Sequence, residues 1–98
     1  MESVFNFEYD LVFDNCLKVL KLLEMVIEHK DKKTGIINTS TKTSFRSYGE
    51  DIEIKFIKAS NKTKVIVRSI AKSQLFTWGK NYNNEINIIE KMTHILSN

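Results

Sequence analysis

Residue types that perform catalysis are few in this sequence of 98 residues, which contains one cysteine and two histidines. His29 lies between Glu28 and Lys30, and His94 lies near the last residue. Neither histidine has a second His, Cys or Asp at the spacing of a metal site. We therefore expect both histidines to be structural, and the sequence predicts no metal ion and no cofactor.

The one cysteine is predicted to be part of the core. Cys16 falls near Phe13, Leu17 and Leu20, on the apolar side of a helical pattern. A catalytic thiol needs an electropositive, partly exposed setting that lowers its pKa, and these neighbours provide the opposite. A single cysteine also excludes an internal disulfide and a multi-cysteine metal site.

The carboxylates form no recognisable acid–base pair. Asp10 and Asp14 lie one turn apart where a helix is expected to begin, and their charge suits the dipole of its first turn. Glu50 and Asp51 precede a strand, where we expect them to cap or solvate a loop. Acid–base catalysis needs a pair held in a pocket with separated pKa values. Because phosphate-binding glycine loops and nucleophile elbows are also missing, the sequence predicts a protein that is not an enzyme.

One end of the predicted sheet carries the best candidate binding site. Arg68 ends a strand, and Trp78 follows in the loop before the last helix. Aromatic side chains beside an arginine form a stacking or anion-binding platform. The candidate residues are Arg46, Tyr48, Arg68, Ser69, Trp78 and Asn81. The alternative is that Trp78 packs beneath the last helix as a core residue and that Asn81 caps the helix.

Charge and hydropathy narrow the class of protein. The net charge is +3, and the basic residues are scattered along the chain, which argues against a dedicated nucleic-acid binder. The densest group, Lys30, Lys32 and Lys33, includes Asp31 and suits a solvated turn. The first residues lack an export pattern, and the longest apolar run is far shorter than the ~20 residues of a membrane span. We expect a cytoplasmic protein without a membrane anchor.

Periodicity predicts one domain over residues 1–98, with the element order β-α-β-β-β-β-α. The expected strands are 4–9, 26–30, 36–41, 52–56 and 64–68, and the expected helices are 11–24 and 80–96. Asp10 is the expected N-cap of the first helix. The expected apolar stripe of the last helix is Tyr82, Ile86, Ile89, Met92 and Leu96. A hairpin turn is expected over 60–62.

This order predicts an α+β fold in which a curved antiparallel sheet packs on helices, as in helix-grip proteins. The residues expected to face the first helix are Ile52, Ile54, Phe56, Val65 and Val67. The opposite sheet face mixes Ile57, Ile66 and Ile70 with lysine and arginine side chains. Such a half-apolar face needs a second layer or a partner, and the sequence leaves open whether the last helix or another chain covers it.

Three segments resemble a bacterial family, the domain of unknown function family 1499. They are 51–56, 63–69 and Trp78-Gly79-Lys80-Asn81 before a closing helix, and residues 12–41 are similar to the family in their order of elements. The glycine expected after the first helix is replaced near Leu23-Glu24-Met25, and we expect no anchor of the kind that family members often carry. The topology also looks like the helix-grip repeats of an outer-membrane assembly lipoprotein. The resemblance implies a fold and no activity, because the family's biochemistry is not established.

Three hypotheses of function follow. The first is a non-enzymatic binding or protein-interaction domain that forms a homodimer through the outer sheet face or an edge strand. The second is a small-ligand binder that uses the concave sheet face and the end of the sheet at Arg68 and Trp78, and it requires a cavity between the first helix and the sheet. The third is weak nucleic-acid binding through Lys42, Arg46 and Arg68, with an affinity that falls steeply with added salt.

Overall fold

The computed structural model describes residues 1–41, 50–71 and 83–97. In chain order the elements are β1 (Glu2–Phe5), α1 (Tyr9–Leu22), β2 (Val26–Asp31), β3 (Ile36–Ser40), β4 (Glu50–Ala59), β5 (Lys62–Ala71) and α2 (Asn83–Leu96). Over these ranges the strands form one antiparallel sheet in the order β1-β5-β4-β3-β2. The predicted order of elements is therefore confirmed. Neither α1 nor α2 is long and apolar enough to cross a bilayer, a finding limited to the described ranges.

The core lies between α1 and the inner face of the sheet. All five sheet residues predicted to face the first helix are at most 5% exposed. The helix contributes Val12, Phe13, Cys16, Val19 and Leu20. The strands contribute Phe5, Ile37, Ile52, Ile54, Phe56, Val65 and Val67. Alternation along a strand puts every second side chain on one face, and this is why β4 and β5 could be assigned from sequence.

Strand β1 and the start of α1 differ from their predicted positions. β1 ends at Phe5, and α1 begins at Tyr9, so Asp10 lies inside the first turn and is not the N-cap. The N-cap is Glu8, which has extended backbone angles and makes no side-chain cap hydrogen bond. Its carbonyl accepts the N–H of Val12 at 3.0 Å. The carboxylate of Asp10 still suits the positive end of the helix dipole.

The end of α1 is a Schellman motif built without glycine. The N–H of Met25 donates to the carbonyl of Leu20 at 2.9 Å, and the N–H of Glu24 donates to that of Lys21 at 3.0 Å. Glu24 has a φ of 59°, a left-handed conformation that favours glycine. Glu24 lies in the segment Leu23-Glu24-Met25, where the family resemblance led us to expect a glycine, and it has the backbone conformation that glycine adopts most easily.

Two turns lie together at one end of the sheet. Between β2 and β3, Gly35 has a φ of 74°, and an added Cβ would lie 2.5 Å from the carbonyl oxygen of Phe56 and 2.6 Å from the hydroxyl of Tyr9. The β4–β5 loop consists of Ser60 and Asn61, one residue shorter than predicted, because Lys62 pairs with Ala59. Ser60 has a φ of 58°, as the first residue of a primed hairpin turn requires.

Helix α2 presents a different face to the core from the predicted one. Ile88 and Met92 are fully buried and Glu85 is 1% exposed, whereas Ile86 and Ile89 are only partly buried. Of the predicted stripe, Met92 lies in the core and Tyr82 lies outside the described residues. The stripe therefore runs through Glu85, Ile88 and Met92. This buried face was not predicted because it includes a glutamate, Glu85, in the first turn. The apolar residues alone fit the neighbouring face of the helix equally well.

The last helix does not cover the outer sheet face. Ile88 and Met92 belong to the same core cluster as α1 and the inner face, so both helices pack on one side of the sheet. On the other side Val4 is 58% and Ile57 is 48% exposed. In the described part of the chain, nothing covers these two side chains.

Candidate functional site

The structure describes two of the six residues predicted to form a site, Arg68 and Ser69. Arg46, Tyr48, Trp78 and Asn81 lie outside the described residues. Arg68 is exposed on the outer face, whereas Ser69 is 8% exposed and points inward. Successive side chains of a strand point to opposite faces. Arg68 and Ser69 therefore do not share one surface, and a site that joins them on one face is not formed.

Ser69 belongs to a clamp that attaches α2 to the sheet. Its N–H donates to Oε1 of Glu85 at 2.9 Å, and the other carboxylate oxygen lies 3.6 Å from the amino group of Met1. Nearby, Nδ2 of Asn84 donates to Oε2 of Glu50 at 3.0 Å. The sequence indicated neither contact, because both depend on where α2 meets the ends of β4 and β5. The side chains of Glu85, Asn84 and Glu50 hold the helix, whereas Ser69 takes part through its backbone N–H, and its Oγ atom is buried without a hydrogen-bond partner.

Cys16, the only thiol in the sequence, lies in the core. Cys16 is fully buried, and burial raises the pKa of its thiol to about 12. The thiolate is the reactive form, so Cys16 is unreactive in the folded protein and the core assignment is confirmed. Among the residues described, no three His, Cys, Asp or Glu side chains are grouped as metal ligands.

The space between α1 and the sheet is filled by side chains. The α1 residues that face β4 and β5, among them Val12, Phe13 and Cys16, are at most 2% exposed. Five cavities lined by described residues are open to the surface. The concave sheet face is therefore occupied by α1 along the described residues, and a ligand there would have to displace core side chains.

A groove between α1 and the end of α2 has the features of a binding site. It has a volume of about 490 Å³ and is lined by Phe7, Leu11, Asp14, Asn15, Lys18, Ile95 and Leu96. This volume lies within the range of small-molecule sites. Leu11, Asn15 and Lys18 are four and three residues apart, so they form one stripe along α1. Ile95 and Leu96 form the opposite wall, where α2 ends beside Phe7.

The floor of this α1–α2 groove holds a polar group without a partner. Asn15 is 8% exposed, and its Oδ1 atom accepts no hydrogen bond. The two atoms of an amide end are assigned from hydrogen bonding, which gives no guidance here, so the amide can offer either its donor or its acceptor. A buried polar atom left unpaired costs about 1–3 kcal/mol. Such groups in a folded protein call for a functional explanation.

The wall side chains leave apolar surface open to solvent. Leu11 is 52% exposed, and Phe7, Ile95 and Leu96 are partly buried against the core. Their position follows from the helix pattern, since Leu11 lies on the side of α1 that faces α2 and not the sheet. The groove was not predicted from the sequence because Asn15 lies between core residues Phe13 and Cys16. The available signal was one polar residue within the apolar stripe of α1.

One positive charge at the groove has no ionic partner in the described part of the chain. Asp14 lies at the rim, and its Oδ1 atom is 2.9 Å from Nζ of Lys32. The hydrogen bond with Asp14 raises the pKa of Lys32, and the Lys32 ammonium offsets the carboxylate beside it. Lys18 is exposed and forms no ion pair there. The rim therefore presents a net positive charge.

Comparison with known proteins identifies the fold of this chain but not a family. No family model and no curated protein matches the sequence. Among solved structures, the crystal structure of Ara h 8.0201 matches 100% of this chain and 96% of its own, at 11% identity and a TM-score of 0.53. It is a Bet v 1-like protein, and at this identity the likeness shows the fold alone. The chain has the helix-grip fold predicted from its sequence.

Proposed function

We propose that this chain is a non-enzymatic binding domain whose α1–α2 groove holds a small amphipathic molecule. The observation that carries the proposal is the unpaired amide of Asn15 on the floor of an apolar groove of ligand size. Binding sites of this kind combine mostly apolar walls with a few polar groups that fix orientation. The apolar body of the ligand would cover Leu11, Phe7 and Leu96. Its polar end would form a hydrogen bond with the Asn15 amide.

Two energetic terms support a ligand at this place. Covering exposed apolar surface contributes about 25 cal/mol per Å² removed from water. Pairing the Asn15 amide recovers part of the desolvation cost that the folded chain already carries, and a hydrogen bond formed there has little competition from water. A ligand without a polar end would gain only the first term. Selectivity for a molecule with a hydroxyl or carboxyl end follows from the second.

The test is titration with decanol, followed by backbone and side-chain amide NMR. We expect shifts confined to the groove, with the Asn15 side-chain amide among the largest. Replacing Asn15 by Leu removes the polar partner and is expected to weaken decanol binding about tenfold, the effect of one hydrogen bond. The matched control is Asn87→Leu, because Asn87 is exposed on α2. Shifts spread over the sheet, or equal affinity of the two variants, would contradict the proposal.

Self-association through the outer sheet face is a second candidate function. It is supported by the exposure of Val4 and Ile57, 58% and 48%, on a face that the described residues leave open. The ion pair of Lys64 with Glu2, 3.1 Å, lies on the same face and reduces its apolar character. Pairing through an edge strand has less support, because β1 has four residues and β2 is interrupted by a bulge.

Sedimentation velocity over a hundredfold concentration range tests self-association. A dimer at the outer face would dissociate when Val4 and Ile57 are both replaced by Lys, since a charge would then be buried at the interface. The control is Leu22→Lys, because Leu22 is 54% exposed on α1 and away from that face. A monomer at every concentration would overturn self-association through this face.

The other expectations stay predictions. Weak nucleic-acid binding through Lys42, Arg46 and Arg68 has one of its residues, Arg68, in the described ranges, exposed on the outer face. It is tested by the salt dependence of oligonucleotide affinity. Membership of the domain of unknown function family 1499 and a cytoplasmic location also remain proposals from the sequence.

A further inference from the structure

We infer that the ligand of the α1–α2 groove carries a carboxylate, which Lys18 binds while the Nδ2 group of Asn15 donates a hydrogen bond to the same head group. This inference rests on the proposed function and specifies the chemical class of its ligand. Lys18 follows Asn15 by three residues, and side chains at this spacing are neighbours on a helix surface. The ammonium and the amide can therefore reach one head group at the rim of the groove.

The charges around the groove favour an anion over a cation. Asp14, the acidic residue that lines the groove, has its carboxylate 2.9 Å from the Lys32 ammonium and is compensated by it. The carboxyl end of α2, near Ile95 and Leu96, carries a partial negative charge of about half a unit. Lys18 carries a full unit and has no ionic partner in the described ranges. The unit charge at the rim therefore outweighs the partial charge at the far wall.

The dimensions of the groove indicate a medium-length apolar tail. Leu11 and Lys18 are separated by seven residues, which is about 10 Å along the helix axis. A head group at Lys18 places the tail along α1 toward Leu11, where Leu96 forms the opposite wall. Both walls are apolar at that end, and the polar residues of the groove lie toward Lys18. A single-chain carboxylate such as decanoate matches this polarity from end to end.

Titration of decanoate, decanol and decylamine at one ionic strength and below micelle formation tests the inference. We expect decanoate to bind about tenfold more tightly than decanol, because it adds a charge-assisted hydrogen bond, and decylamine to bind most weakly. In Lys18→Gln, decanoate should lose this advantage and bind no more tightly than decanol does. Lys21→Gln is the matched control, because Lys21 is exposed on α1 and does not line the groove.

The outcomes separate the inference from the proposed function. Equal affinity for the three molecules, or an unchanged decanoate affinity in Lys18→Gln, overturns the carboxylate inference and leaves the groove as a binding site. Preference for decylamine overturns it as well and assigns the head group to Asp14. Failure of all three molecules to bind the wild-type protein overturns both proposals. Circular dichroism of each variant confirms that the fold is retained.

Discussion

At the scale of single residues, the buried side chain of Asn15 lowers the stability of the fold, because it holds a polar atom without a hydrogen-bond partner. Its Oδ1 atom has no partner although the residue is 8% exposed. Leucine has nearly the same shape and no polar atom to desolvate. We therefore expect Asn15→Leu to raise the free energy of unfolding by about 1 kcal/mol, as judged by urea denaturation.

The same substitution is expected to weaken ligand binding, and the two effects together identify a functional residue. If Asn15 had a purely structural role, its replacement would destabilise the protein, because the group that it hydrogen-bonds would be left unpaired. The exposed control Asn87→Leu should change the free energy of unfolding by no more than about 0.5 kcal/mol. A destabilised Asn15→Leu would show that the amide has a structural partner and would remove the main support for the groove.

Cys16 makes a pH-dependent contribution to stability. Burial raises the pKa of the folded thiol from 9.0 to about 12. Because the folded value is the higher one, the contribution is complete below pH 9.0 and is lost as the pH rises toward about 12. Above pH 9 we expect the unfolding free energy of the wild type to fall by about 1.4 kcal/mol more per pH unit than that of Cys16→Ala.

Urea denaturation between pH 8 and 10.5 measures this difference in slope. Cys16→Ala also creates a cavity and lowers stability at every pH, so only the slopes are compared. Parallel slopes would mean that the thiol ionises equally well in both states. A thiol reagent provides the independent check, since the folded protein should react only through unfolding.

At the scale of elements, the end of α1 is the place where stability can be added. Glu24 holds a φ of 59° at the glycine position of a Schellman motif. Left-handed backbone costs a residue with a Cβ atom roughly 1 kcal/mol, and glycine avoids this cost. Glu24→Gly should therefore raise the midpoint of thermal unfolding by several degrees for a domain of this size.

Glu24→Ala is the matched control, because alanine also removes the charge and keeps the Cβ atom. Ser60→Gly provides a second case, since Ser60 has a φ of 58° in the β4–β5 loop. A midpoint that rises equally in Glu24→Ala and Glu24→Gly would attribute the effect to the loss of charge and not to backbone strain.

Elements governed by local periodicity could be predicted, and those governed by tertiary contacts could not. The inner face of β4 and β5 follows from alternation alone, so Ile54 and Val67 were assigned correctly. Which face of α2 packs against the core depends on Glu85. Its carboxylate can be buried because it accepts a hydrogen bond from the Ser69 N–H. The groove likewise depends on α2 ending beside α1. An isolated polar residue such as Asn15 marks an unusual position on α1 but does not indicate that α2 ends beside it.

At the scale of the whole molecule, the helix-grip arrangement divides the surface into two parts. Both helices lie on one side of the sheet, and the side chains between α1 and the sheet are closely packed. Two surfaces that remain available in the described part of the chain are the groove between the helices and the outer sheet face. The outer face has exposed Val4 and Ile57 among charged side chains, whereas the groove has a buried unpaired amide. The second observation is the more specific one, because exposed apolar side chains are common on protein surfaces.

The clamp between α2 and the sheet determines whether the molecule unfolds as one unit. Glu85 is 1% exposed and accepts the Ser69 N–H at 2.9 Å, next to the buried side chains of Ile88 and Met92. Replacing Glu85 by Ala leaves a buried N–H without an acceptor and opens a space in the interface. We expect the free energy of unfolding to fall by about 2 kcal/mol and amide exchange in α2 to become faster than in β4.

Glu90→Ala is the matched control, because Glu90 is exposed on the same helix. Glu85→Gln keeps an acceptor oxygen for the Ser69 N–H and should lose less stability than Glu85→Ala. If Glu85→Ala costs no more than Glu90→Ala, α2 is held by its apolar residues alone. In that case the amides of α2 would exchange at the same rate as those of β4 in both variants. The clamp would then not contribute to the position of the groove wall formed by Ile95 and Leu96. Faster exchange limited to α2 would instead show that the carboxylate couples this wall to the sheet, because opening the clamp would then loosen the groove at its far end.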